Sequence, residues 1–501
     1  MIEPRRRLRT DDPLLLAGFE RIRTEFSVPD AFSDDVLAAA DAAVLAFASG
    51  TVAPERPPRA DRRDLPFVTV DPAGSRDLDQ AFHAARGADG GFVVHYAIAD
   101  VAAFVRAGDP VDLEARRRGA TTYLPDRRAP LYPEVIGEGA ASLLPDGDRP
   151  ALLWTIELDA AGKRKHARVE RATVRSTAAR AYPEVQADID AGTATESLAL
   201  LEEIGKLRIG REIARGGVSI ELSEQEVVKT GDTVELVERA SLPVERWNAQ
   251  ISLLTGIAAA AIMVEHGVGL LRTMPAPLQV ELDRLRHAAH VLRIPWPKDA
   301  SYADVVRSVD GTSEHGTAFL MQAVQAMRGA SYETLGPSNP PEPQAAVAAP
   351  YAHVTAPLRR YADRFVNEIV LAQCSGTTPP PWSTDALPAL PKVMDAAARR
   401  EHTVDRAVVD LLEAVLLAPR VGESFAASVV DLRDDHRAVV QIADPPVQAT
   451  VAAGDQPLGA DLTLRLDSVD PATRTVTFSV TRPAAAPRRG PGRASDESDL
   501  G

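Results

Sequence analysis

Cysteine is almost missing from this chain: Cys374 stands alone among 501 residues. A single thiol excludes an intramolecular disulfide framework and any cysteine-rich zinc or iron–sulfur site. Basic charge is also in short supply, with 56 Lys+Arg against 71 Asp+Glu and a formal charge of −15. That balance argues against a protein that coats nucleic acid by bulk attraction, but it leaves room for a basic channel inside an acidic body. Aromatic residues make up only 5%. Long hydrophobic runs are lacking as well. The most apolar stretch, residues 251–264, is broken by Ser252, Thr255 and Gly256. It falls short of the roughly 20 residues of a membrane span and reads as a buried helix. The basic start, Arg5-Arg6-Arg7, has no apolar segment behind it. A secretory signal is therefore not expected, and the chain reads as cytoplasmic, with no membrane partner. No Walker loop, dinucleotide glycine fingerprint or Ser/His/Asp triad occurs, so nucleotide fuel is not indicated. The ten histidines show no metal spacing; His287 and His290 read as a solvated helix face.

The length accommodates about three domains at roughly 100–200 residues each. Residues 1–52 read as helical, with an Ala-rich periodic segment at 34–47 that Ser33 and Asp34 can cap. The Pro/Arg-rich stretch 53–64 reads as a linker. From Pro66 onward, β-like runs at 67–70, 92–98, 151–158 and 167–174, with turns at 87–91 and 159–162, predict a mostly antiparallel sheet. Beyond residue 195 helical periodicity dominates, at 197–215, 245–266, 279–292, 316–328, 358–373 and 388–418. Residues 421–482 return to short strands, about five of them, as in a small OB-type barrel. The tail 483–501, rich in Pro, Gly and charge, is expected to be disordered. The fold class is α+β.

The densest chemistry lies in Asp71-Pro-Ala-Gly-Ser-Arg-Asp77-Leu-Asp79-Gln80, directly after a β-like run. In an extended segment Asp77 and Asp79 point to one side, because side chains alternate with period two. Pro72 and Gly74 let the chain turn so that Asp71 folds back toward them. Carboxylates held this close repel, and a hard cation relieves the repulsion; clustered oxygen donors suit Mg²⁺ or Mn²⁺ better than zinc. The same string also reads as a solvated acidic turn. It lacks the register of a calcium-binding EF-hand loop.

Three further strings follow: Ala97-Ile-Ala-Asp100-Val101, Arg116-Arg-Arg-Gly-Ala-Thr-Thr-Tyr123-Leu-Pro125, and Thr355-Ala-Pro-Leu-Arg359-Arg360-Tyr-Ala-Asp363. Together with the aspartate segment, in this order and at this spacing, they resemble the ribonuclease II/ribonuclease R (RNB) family over residues 65–420. Residues 420–425 enter what resembles that family's C-terminal S1 domain. The resemblance implies an RNB catalytic domain, an antiparallel sheet with surrounding helices, between a small helical N-terminal region and an S1-like OB barrel. It implies a Mg²⁺-dependent exonuclease, with Mn²⁺ as a substitute, that degrades single-stranded RNA 3′→5′ to 5′-mononucleotides without sequence preference.

Carried over residue by residue, the resemblance makes Asp71, Asp77 and Asp79 metal ligands, and Asp77, Asp79 and Arg359 the catalytic set. The family has a fourth aspartate where this chain has Gln80, whose oxygen can touch a cation but adds no charge. Asp100 is a candidate to compensate. The alternative is a catalytically weak or silent RNB-fold protein that binds RNA and regulates; a metallohydrolase of another kind is a third reading. Tyr123 takes the place of the tyrosine that stacks on the terminal base, against a local reading as an edge tyrosine packed on prolines. Arg359 takes the place of the arginine at the scissile phosphate, against a local reading as a partner of Asp363. Arg360 is a second phosphate contact or a surface charge, and Asp405 takes the ribose-contacting position. His353 reads as structural. The basic groups available to RNA are Arg116–Arg118, Arg127, Arg128, Arg359 and Arg360. The two cold-shock domains usual in the family are not expected in this chain, a divergent bacterial member on this reading. The barrel segment offers only Phe425 and Phe478. Low processivity, or dependence on a partner protein in RNA degradation, is expected.

Overall fold

The computed structural model describes residues 8–482 apart from 10–11, 52–57, 146, 221–223, 231–232, 240, 312, 337–340, 434–435, 443–446, 453 and 455. The expected tail and the first part of the expected linker lie outside the described residues. A short strand β1 (Leu8–Arg9) precedes helices α1 (Pro13–Glu25) and α2 (Asp34–Ala48). Asp12 caps α1, its carboxylate accepting from the Leu14 N–H at 2.8 Å. Ser33 occupies the N-cap of α2 without a side-chain bond to the helix backbone, and the first turn has the charges of Asp34 and Asp35 at the positive end of the helix.

The centre of the fold is a seven-stranded sheet. Its strands are β2 (Ala60–Asp61), β3 (Phe67–Asp71), β4 (Gln80–Arg86), β5 (Phe92–Ala99), β6 (Arg149–Leu158), β7 (Arg164–Val174) and β8 (Ser176–Ala181). Their spatial order is β2-β7-β6-β5-β4-β3-β8. The inner pairs are antiparallel, as the alternation and the glycine turns predict; the outer pairs β2–β7 and β3–β8 are parallel. Residues 58–64, expected as linker, belong to the domain: β2 pairs with β7 and the Arg62 N–H donates to Thr173.

Four helices share the hydrophobic core of this sheet: α3 (Pro110–Arg118), α4 (Tyr182–Asp190), α5 (Glu196–Ala214) and α6 (Pro243–His266). Helix α6 is the one described helix long and apolar enough to cross a membrane by length and composition, and 56% of its apolar window is buried. It buries Trp247, Ile251, Leu254 and Met263 in the same core as the sheet residues Phe82, Tyr96 and Trp154. Between α5 and α6 lies a stretch to which the sequence assigns no helix. A hairpin of β9 (Glu224–Thr230) and β10 (Thr233–Arg239) pairs with β1.

A smaller two-stranded pair, β11 (Leu270–Thr273) and β12 (Ser331–Thr334), brackets α7 (Gln279–Val291), α8 (Tyr302–Ser308) and α9 (Glu314–Ala326). The buried helix α10 (Tyr361–Cys374), α11 (Pro381–Ala386) and the long α12 (Leu390–Leu417) complete the domain. The last five strands are β13 (Ser424–Leu432), β14 (Arg437–Ile442), β15 (Val447–Ala452), β16 (Asp461–Asp470) and β17 (Thr475–Arg482). They run antiparallel in the order β15-β14-β13-β16-β17, and the edge strands β15 and β17 approach each other to give a nearly closed barrel. Phe425 and Phe478 lie inside it, edge to face at 5.9 Å, so neither is a surface for stacking bases.

Candidate active site

Strand β3 ends at Asp71 and the chain turns through Gly74, at φ +82°, where a side chain would be strained. The Ser75 N–H and hydroxyl both donate to the Pro72 carbonyl, closing the turn. Leu78 then points into the core, its backbone pinned by Ser142 and Leu143. Period-two alternation accordingly turns Asp77 and Asp79 to the opposite side.

The second wall comes from residues 355–361. Asp363, fully buried, accepts from the Ala356 N–H at 2.8 Å and also holds Arg360 Nη2 at 2.9 Å. The Leu358 N–H donates to Asp79 Oδ1 at 2.7 Å, and Arg359 Nε lies 3.3 Å from Asp79 Oδ2. Arg359 thus pairs with Asp79, and it is Arg360 that pairs with Asp363. The third wall is the segment after α3. Gly119, at φ +71°, packs where an added Cβ would lie 2.8 Å from Ala397. Its carbonyl accepts from Tyr361, and the Thr121 N–H donates to the Arg359 carbonyl, so residues 119–123 run beside 359–361. This carries Tyr123 to Asp77, whose Oδ2 accepts from its hydroxyl at 2.9 Å, leaving the side chain 43% exposed.

The electrostatics follow from burial. The Asp79 carboxyl is pushed up to about 8 by burial, against the pull of Arg359 and the Leu358 N–H. Asp71 is raised to about 6 by burial and the neighbouring Asp77 charge, again opposed by Arg359, and its Oδ2 has no hydrogen-bond partner. Among the described residues no three His, Cys, Asp or Glu side chains converge as a ready-made metal cage. The described hydrogen bonds of the Gln80 side chain go to residues other than the aspartates. Its amide donates to the Thr355 carbonyl and accepts from the Tyr96 hydroxyl at 3.0 Å, tying β4 to residues 355 and 96. Asp100, the candidate to compensate, is engaged by arginines. It is buried and bound by Arg59 at 2.6 Å and by Arg171, which also pairs with Glu368.

Beside Arg359 opens a pocket of about 210 Å³, lined among others by Tyr123, Arg272, His353, Arg359, Arg360 and Glu401. The guanidinium of Arg272 stacks over Tyr332 at 4.7 Å, and the Tyr332 hydroxyl meets His353 Nδ1 at 2.6 Å. Burial and the surrounding arginines hold the His353 ring well below the usual histidine range. Asp405 is exposed on α12 and does not line the pocket; Glu401, one turn earlier, does. Burial and Asp405 raise the Glu401 carboxyl, against Arg359, Arg360 and Arg400.

Several arginines expected at the RNA are instead committed to pairs. Arg117 bonds Glu114, and Arg118 is buried over the Phe32 ring at 3.7 Å. Arg127 bonds Glu20 and Asp30. Arg128 bonds Asp77 at 2.7 Å and Glu138. Sequence reasoning missed Glu401, Arg272 and Glu138; for Glu401 the signal was its four-residue spacing from Asp405 on one helix.

With this geometry in place, known proteins give it a context. The RNB domain model matches residues 59–375, and the model of the RNase II-type exonuclease C-terminal S1 domain matches 423–481. A relative, exosome complex exonuclease RRP44 homolog A of Arabidopsis thaliana, is 29% identical over 423 residues, covering 81% of this chain and 45% of its own length. The chain therefore spans less than half the length of that curated relative. The fold is similar to that of Mycoplasma genitalium RNase R in complex with ribose methylated single-stranded RNA. There the TM-score is 0.81 at 19% identity, over 94% of this chain and 78% of the other. It is also similar to yeast Ssd1, a pseudonuclease, with a TM-score of 0.67 at 16% identity over 93% and 60%. The family model spans well over half of the chain, and the protein belongs to the RNB-domain family, with an RNase II-type S1 domain at its C-terminal end.

Proposed function

We propose that this protein is a metal-dependent 3′→5′ exoribonuclease that trims single-stranded RNA to 5′-mononucleotides in the cytoplasm. The observation that carries this reading is Arg359 Nε at 3.3 Å from the buried Asp79, on the wall of a pocket that also holds Tyr123, Arg272 and Arg360. A guanidinium oriented by a fixed carboxylate offers forked donors to a phosphate and stabilises charge that develops there. Asp79 does not swing, because the Leu358 N–H holds its other oxygen. The exposed Tyr123 ring gives a base-stacking surface, which tolerates any base and is worth roughly 1–3 kcal/mol on single strands. Glu401 is the carboxylate within the pocket and takes the sugar-hydroxyl contact that sequence assigns to Asp405.

The donors at the aspartate segment are hard oxygens, and the orphaned Asp71 Oδ2 fits a hard cation. Asp71 and Asp77 would hold it, and bound there Mg²⁺ or Mn²⁺ would polarise a water and offset phosphate charge. The names of the relatives, ribonuclease R and exosome exonucleases, support the same reading.

A second reading, a catalytically silent RNA-binding protein, is favoured by one observation: the Gln80 amide bonds Thr355 and Tyr96 and brings no negative charge to the aspartates. The fold shared with a pseudonuclease is compatible with it. Hydrolysis of 5′-labelled single-stranded RNA with Mg²⁺ or Mn²⁺ separates the two. Asp79→Asn is expected to lower the rate by about a hundredfold or more. Equal rates in wild type and variant remove the catalytic claim.

A further inference from the structure

Asp77 is the carboxylate that both Asp71 and Asp79 feel, since its charge raises each of them. It is the natural member of the segment to share a cation, yet both of its oxygens are taken. Oδ1 accepts from Arg128 Nη1 at 2.7 Å and Oδ2 from the Tyr123 hydroxyl at 2.9 Å. The other amino group of Arg128 pairs with Glu138, which sits in the single-turn π-helix Val135–Ala140 and is also approached by Arg76 at 3.5 Å. The side chains of Asp77, Arg128 and Glu138 are 14%, 25% and 12% exposed, so the pairing is partly withdrawn from water and only weakly screened. One planar guanidinium bridges two carboxylates, as a divalent ion does.

Resting on the nuclease reading above, the geometry points to Arg128 as a built-in cation of the aspartate site. Its guanidinium holds Asp77 until a hard divalent ion takes that carboxylate, and Glu138 then keeps the displaced guanidinium alongside. Affinity for the ion is set by this competition, and Gln80 supplies no extra negative charge to tip it. The two features belong together. A site short of one carboxylate and carrying one added guanidinium binds its metal weakly and depends on the incoming phosphate to complete it.

The test is calorimetric titration of Mn²⁺ into the full chain without RNA, for wild type, Arg128→Ala, Arg128→Gln and Asp77→Asn. Both Arg128 variants are expected to bind Mn²⁺ about three- to tenfold more tightly than wild type, and Asp77→Asn more weakly or not at all. Arg128→Gln keeps a polar side chain of similar reach and carries the test if the alanine variant fails to fold. Unchanged or weaker binding in folded Arg128 variants overturns the clamp and leaves the nuclease reading standing. Binding as tight in Asp77→Asn as in wild type overturns it as well. If no form binds Mn²⁺, the clamp falls together with the metal dependence of the nuclease reading.

Discussion

Glu401 and Asp405 are one helical turn apart on α12, and only Glu401 reaches the pocket beside Arg359 and Arg360. A carboxylate there accepts a hydrogen bond from a sugar hydroxyl, which a 2′-deoxy end lacks. Glu401→Gln is expected to reduce the preference for an RNA end over a 2′-deoxy end by about tenfold, the worth of a hydrogen bond to a charged group. Asp405→Asn should leave it within about twofold. Comparing kcat/KM for the two ends in each variant checks this, and a larger effect from Asp405 would return the role to that residue. At this scale, what the sequence disclosed was set by local geometry. Asp77 and Asp79 share a side because a strand alternates. The partners of Gln80, Asp100 and Arg128 were not legible, since each is set by tertiary contacts: Thr355 lies 275 residues from Gln80, and Arg171 lies 71 from Asp100.

Elements bring these residues together through close backbone approaches. Gly256, which looked like a break in an apolar run, lies where α6 meets residues 351–352, just ahead of the Arg359 segment. An added Cβ there would come 2.2 Å from the Tyr351 ring and 2.5 Å from the Ala352 carbonyl, and the Ala352 N–H donates to Gly256. Alanine is the better helix former by about 1 kcal/mol. Overpacking against backbone costs about 1–3 kcal/mol and wins. Gly256→Ala should therefore lower unfolding stability in urea by up to about 2 kcal/mol; a rise in stability would mean that residues 351–352 yield freely. The same dependence on neighbours explains which elements were readable. The central antiparallel strands announced themselves by alternation and glycine turns. The two-residue β2 has no pattern of its own and exists only as a neighbour of β7. The hairpin β9–β10 did carry a signal, alternation around Gly231-Asp232, which the surrounding helical periodicity obscured.

Across the whole molecule, the charge of −15 limits where RNA can be held. Arg117, Arg118, Arg127 and Arg128 are held by acidic neighbours and do not line the pocket, while Arg272, Arg359 and Arg360 do, the last two oriented there by Asp79 and Asp363. The barrel adds no aromatic platform from Phe425 and Phe478, because both are inside it. Binding should then rest on few phosphate contacts. Each contact to a single strand contributes a slope of roughly −0.7 in log K against log salt, so about three contacts give roughly −2. Fluorescence anisotropy with labelled poly(A) between low and moderate salt measures this slope directly. A value near −2, with little gain in affinity as the strand lengthens, is what a short enclosed grip requires. A slope of about −5 or steeper, growing with strand length, would demand a continuous basic track that the paired arginines do not provide.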